Sequence, residues 1–139
     1  MAEPVKGQCL CGGVRFELTP PLRAVTVCHC AQCRRWHGHV GAYTAVPRDG
    51  LSLVESRGLA WFTSSSFARR GFCRECGSSL FWERNGHDMI SITAGALDAP
   101  TGLQTVLQIF AKDKGDYYEI DDGLPQYPQS TPSVKVAGS

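Results

Sequence analysis

Seven cysteines are the residues of this chain best suited to chemistry, and each falls in a short cluster: Cys9 and Cys11 in CLCGG, Cys28, Cys30 and Cys33 in CHCAQC, Cys73 and Cys76 in CRECGS. Thiolates two or three residues apart converge on one soft cation, and zinc takes four such ligands tetrahedrally. A CxxC turn followed by Gly presents two sulfurs from one knuckle, with Gly77 free to take a positive φ. A CxC pair in extended chain serves equally, because alternate side chains share a face. One buried cysteine would be an ordinary small hydrophobe; seven in these spacings read as ligands. Full disulfide pairing would strand one of them, and 139 residues bury enough core to stand without staples.

Joining Cys9 and Cys11 to Cys73 and Cys76 makes a complete four-thiolate structural site across a long stretch of chain. Cys28, Cys30 and Cys33 then offer three ligands within six residues and an open fourth position. That is the arrangement of catalytic zinc, able to hold water or a substrate thiolate poised for attack on a carbonyl. Two alternatives stay open on spacing alone: Cys33 could join Cys73 and Cys76, or a histidine could close the middle group into a structural or redox site. His29 alternates with Cys28 and Cys30, so it points away from them and is expected to be packed or hydrogen-bonded. His37 and His39 are better placed to approach the open site, and His37 is taken as a substrate-binding candidate with Arg34 and Arg35, whose guanidinium groups can pair with carboxylates. Arg69 and Arg70 could do the same beside the second knuckle, against the plainer reading of all four as solvated surface charge. His37, His39 and Glu75 are near ligands in sequence, but spacing identifies no general base.

The elements that must position these groups are short. Val14, Phe16 and Leu18 alternate with Arg15 and Glu17 as in a half-buried strand. Strand character returns at residues 25–28, 42–46, 51–54, 59–63, 80–83, 89–93 and 106–110, with turn residues between most of them. Only residues 31–37 and 64–68 could hold a turn or two of helix. The pattern predicts a mainly β domain over 1–128 in which Trp36, Trp61, Phe62, Phe81 and Trp82 are core residues, followed by a mobile tail over 129–139 that is poor in large apolar groups.

A net charge of +1, from 14 basic and 13 acidic residues, gives no field for a phosphate backbone or an anionic membrane. Residues 1–8 lack the apolar core of a secretory leader, and no stretch approaches a membrane span, so a soluble cytoplasmic protein is expected, with neither nucleic acid nor membrane as partner.

CLCGGVRF, CHCAQCRRWHG, GFCRECGSSLFW and ITAGALDAP, in this order and at these separations, resemble the glutathione-dependent formaldehyde-activating enzyme family, whose domain is shared with centromere protein V. The resemblance runs from about Gly7 to Gln126 and takes in GDYYEIDDGLPQY. It implies an Mss4-like fold of short antiparallel strands with a zinc knuckle. Two zinc ions per chain are implied, a structural one on Cys9, Cys11, Cys73 and Cys76 and a catalytic one on Cys28, Cys30 and Cys33. The implied activity is that of a carbon–sulfur lyase on a small thiol or aldehyde, such as the condensation of glutathione with formaldehyde to S-hydroxymethylglutathione. The motif is the metal framework and does not fix the groups that would grip glutathione, so substrate and oligomeric state are not encoded in it. The competing expectation is a non-catalytic zinc-binding interaction module, which calls for an exposed basic or apolar surface; the sequence has no long basic extension.

Overall fold

The computed structural model of the chain describes residues 3–130. Ten strands and one short helix follow in the order β1 (Val5–Gln8), β2 (Arg15–Leu18), β3 (Val25–Cys28), α1 (Ala31–His37), β4 (Gly41–Pro47), β5 (Leu51–Glu55), β6 (Leu59–Thr63), β7 (Ala68–Cys73), β8 (Ser79–Arg84), β9 (Met89–Thr93) and β10 (Thr105–Ile109). β1, β2 and β5 form a small antiparallel sheet; the larger sheet runs β10-β3-β4-β9-β8-β7-β6. Every pairing is antiparallel except β10 with β3. The mainly β architecture expected from the alternation is the one observed.

Alternation explains which residues go inside. Phe16 and Leu18 of β2 are buried while Arg15 is exposed and Glu17 half-buried, and the two apolar residues meet Phe81 and Leu80 of β8 with Val46, Ile90 and Ile92. Phe16 stands edge-on to Phe81 with ring centroids 5.2 Å apart, a favoured aromatic arrangement. β4 lies inside the larger sheet and is buried over most of its length; its Thr44 hydroxyl is satisfied by the Arg23 carbonyl at 2.5 Å.

Three expectations are corrected. Residues 64–68 are no helix: 64–67 are the loop joining β6 to β7 and Ala68 already opens β7, with Ser64 closing the loop by donating from both its N–H and its hydroxyl to the Ala68 carbonyl. β7 follows, although ARRG places charge where alternation expects apolar groups; the pattern fails because Arg70 points inward. Phe62 is no core residue: it lies on the edge strand β6, half exposed, with Trp36 stacked on it. The expected tail begins at Gln129, whose carbonyl accepts from the Phe110 N–H; residues 131–139 of it lie outside the described residues. No described helix is long and apolar enough to cross a membrane.

Candidate metal centres

Two tight turns bring the first cysteine group together. After β1 the chain folds back with Cys9 N–H donating to the Val14 carbonyl. After β7 a second knuckle closes through Gly77 N–H to the Cys73 carbonyl at 2.7 Å, with Gly77 at φ 83°, where a side chain would be strained. The sulfurs of Cys9, Cys11, Cys73 and Cys76 all lie within 4.8 Å of one another. Cys11 Sγ is 3.7 Å from both Cys9 Sγ and Cys73 Sγ. Four ligands about 2.3 Å from a zinc ion at tetrahedral angles stand about 3.8 Å apart, so the donor set and its spacing fit that ion. Backbone N–H groups of Val14 and Gly13 point at the Cys9 and Cys11 sulfurs from 3.2 and 3.3 Å, the donors a thiolate needs. Gly58 belongs to the same packing: a Cβ there would stand 2.7 Å from Cys73 Sγ.

The second group forms where β3 runs into α1. Cys28 ends the strand, Cys30 caps the helix, and Cys33 sits in its first turn with its N–H donating to Cys30 Sγ at 3.3 Å. These three sulfurs are again mutually within 4.8 Å, and no fourth His, Cys, Asp or Glu ligand atom among the described residues joins them. Cys28 and Cys33 are buried, whereas Cys30 is partly open to solvent, so the group is reached from its side. The Cys30 thiol is held far below its ordinary value, chiefly by hydrogen bonding with Cys28 and Cys33, while Cys28 is pushed up through the same bond with Cys30. The three thiols therefore lose their protons in steps as a group and not independently.

Tyr43 and Arg70 complete the surroundings. Tyr43 packs on Cys28 and Cys33, with Trp82, Ile109 and Phe110 around them. Arg70 is 3% exposed. It donates to Tyr43 Oη at 3.1 Å, to Gln32 Oε1 at 2.9 and 3.2 Å, and toward Cys33 Sγ at 3.6 Å. His37 Nε2 is 2.6 Å from Tyr43 Oη. Burial first, and the Arg70 charge next, lower the His37 pKa to about 4, so its ring is neutral near pH 7. Neither Tyr43 nor the buried role of Arg70 is signalled by the sequence: AYTAV reads as an ordinary core strand, and Arg70 reads as half of a surface pair.

His29 points away from the cysteines and is hydrogen-bonded on both sides. Gln108 donates its amide N–H to the Asp122 carboxylate at 2.7 Å, so its carbonyl oxygen faces His29 Nε2 at 2.6 Å. Nε2 must then carry a proton, and in the neutral ring Nδ1 accepts from the Tyr118 hydroxyl, 2.5 Å away. The late segment around Tyr118 and Asp122 is thereby tied to the strand that carries Cys28. His29→Leu is expected to cost about 2 kcal/mol or more, since it leaves the buried Gln108 oxygen without a donor; thermal melts would check this, and an unchanged Tm would refute it.

Of the other predicted site residues, Arg34 is partly buried on α1 and Arg35 is exposed. Arg34 Nε is buried with no hydrogen-bond partner among the described residues. His39 joins neither cysteine group: it bonds Tyr117 Oη at 3.0 Å and meets the Tyr118 ring edge-on. Glu75 is drawn outward into an ion pair with Arg57.

Two cysteine groups of unequal completeness on a mainly β scaffold define a class of small cysteine-rich metal-binding folds. The sequence profile described as glutathione-dependent formaldehyde-activating enzyme matches residues 4–113, and the chain belongs to that family. It is 28% identical over 117 residues to an uncharacterized lyase of Schizosaccharomyces pombe, covering 83% of this chain and 84% of that one. A crystal structure of a Rhodobacter sphaeroides protein superposes with a TM-score of 0.55 at 20% identity, covering 88% of this chain and 98% of that one; the likeness is one of fold.

Proposed function

We propose that this chain is a zinc-dependent carbon–sulfur lyase-type enzyme that makes or breaks the adduct of a small thiol and an aldehyde, as in glutathione plus formaldehyde giving S-hydroxymethylglutathione. The observation that carries the reading is the asymmetry of the two cysteine groups: four sulfurs gathered by two knuckles in one, three beside a buried arginine in the other. Family membership and the lyase name of the yeast relative support the reaction class. A zinc ion on three thiolates supplies a soft Lewis-acidic position that favours a thiol in its thiolate form. In the condensation the thiol sulfur bonds the carbonyl carbon, and the thiol proton ends on the carbonyl oxygen; the reverse reaction restores both.

The chain's own groups divide the remaining work. In this reading Cys9, Cys11, Cys73 and Cys76 hold the structural metal, and Cys28, Cys30 and Cys33 hold the catalytic one. Arg34 is the anchor for a substrate carboxylate: it is a partly exposed guanidinium on the helix that carries Cys33, and its Nε is not engaged by any acceptor among the described residues. Arg35, exposed on the same helix, adds long-range attraction, and the neutral ring of His37 orients Tyr43 beside the sulfurs. Arg34→Ala is expected to raise KM for glutathione about tenfold with kcat little changed, while leaving cysteamine, a thiol without carboxylates, unaffected. Steady-state kinetics on both thiols would check it; equal losses for the two would remove Arg34 from substrate binding. The activity itself is tested by exchange NMR of glutathione with formaldehyde: acceleration above the uncatalysed rate is expected, and no acceleration at micromolar protein would end the proposal.

A further inference from the structure

Arg70 poses an electrostatic problem that its neighbours do not solve. A guanidinium buried to this depth needs a counter-charge, yet none of the four Arg–carboxylate ion pairs among the described residues involves it. The adjacent Arg69 is paired with Glu83. The acceptors around Arg70 are Gln32 and Tyr43, which are neutral, and the Cys33 sulfur, 3.6 Å from Nη2, which carries charge once it is a metal-bound thiolate; the Trp36 ring offers only its face, 5.9 Å away. The counter-charge must therefore come from the three-cysteine group.

The arithmetic of formal charges then separates the two centres. Three thiolates around a dication leave one net negative charge, which Arg70 neutralises, so that a fourth thiolate adds only a single charge to the buried group. In the four-cysteine group the same sum leaves two negative charges, met by the backbone N–H donors of Gly13 and Val14 and, among the described residues, by no buried guanidinium hydrogen-bonded to a sulfur.

We infer that Arg70 is the specificity-determining residue of the three-cysteine centre, making its open position accept an anionic thiolate in preference to a neutral ligand. The inference rests on the reading of that centre as an open metal site. It acts through charge held beside Cys33 and not through contact with the substrate's remote groups, which distinguishes it from Arg34. The two residues stand on different elements, Arg70 on β7 and Arg34 on α1.

The test uses the whole protein loaded with cobalt(II), whose visible absorption reports the ligands at the metal. It is titrated with 2-mercaptoethanol, which binds as a thiolate and carries no carboxylate, and separately with imidazole, a neutral ligand. Removing one opposite charge a few ångströms away should weaken binding of an anion on the order of tenfold to a hundredfold. Arg70→Gln is therefore expected to weaken 2-mercaptoethanol by that factor and to leave imidazole within about threefold. Arg70→Lys, which keeps the charge, should stay within about threefold of the unsubstituted protein for both ligands. Equal loss for the two ligands in Arg70→Gln, or no loss for either, overturns the inference. Should Arg70→Gln not fold, Arg70→Lys decides alone: a tenfold or greater loss of thiol binding there overturns it as well. If neither ligand changes the spectrum of the unsubstituted protein, the open position itself fails, and that outcome is told apart by arising before any substitution.

Discussion

Cys73→Ser is expected to yield a chain with no cooperative unfolding transition at 25 °C. Cys73 is fully buried and sits in the main core beside Phe16 and Phe81, where its sulfur also contacts Cys11. A structural zinc contributes apparent binding free energy of about 10–16 kcal/mol, comparable to the whole of the roughly 5–15 kcal/mol by which native proteins are stable. Serine is a poor zinc ligand and leaves a buried hydroxyl where the thiolate was. The two knuckles are linked through these sulfurs, one hydrogen bond from the Leu10 N–H to Ser78 Oγ at 3.0 Å, and the Gly58 loop, whose N–H and carbonyl bond Gly13 and Arg74. Loss of the metal therefore releases β1 from β7. Circular dichroism and dispersed amide resonances would report it, and a native melt in this variant would show that the four-cysteine group does not hold the fold together.

Cys30→Ser has the opposite expected result: turnover falls on the order of a thousandfold while the domain stays folded. The reason is local. Cys30 is the N-cap of α1, accepting the Cys33 N–H through its sulfur. Serine is among the best N-cap residues, so the helix keeps its cap while the metal loses a thiolate. Cys30 is also the most accessible of its trio, so little packing is lost. Melting curves and exchange rates measured on one preparation would show the split, and unfolding as complete as that of Cys73→Ser would argue against two centres with separate roles.

The cysteine clusters were legible in the sequence because CxC, CxCxxC and CxxC hold sulfurs close whatever the rest of the chain does; that Cys9 and Cys11 meet Cys73 and Cys76, with Cys11 and Cys73 62 residues apart along the chain, is set by the fold. The strands were legible where one face is buried and the other wet, as in Arg15–Leu18. Legibility failed where a charge turns inward. β7 and the buried position of Arg70 depend on contacts with Gln32, Cys33 and Tyr43, which are 27 to 38 residues away along the chain; no local pattern records them. The same holds for the chain of bonds from Tyr118 through His29 and Gln108 to Asp122, although the expectation that His29 turns away from the sulfurs follows from strand alternation alone. Phe62 was misjudged because aromatic content signals a strand but not whether that strand lies at a sheet edge. The resemblance read to Gln126 extends past the profile match, which ends at residue 113.

In the proposed reading the chain holds two zinc ions, one in a closed site and one in a site open to a thiol. Elemental analysis of zinc per chain, before and after chelator challenge with and without excess glutathione, tests it most directly. Two zinc ions per chain are expected, one resistant to chelator throughout and one that chelator removes readily and that glutathione either shields or displaces. A single zinc per chain, indifferent to glutathione, would overturn this and leave a structural zinc module in its place.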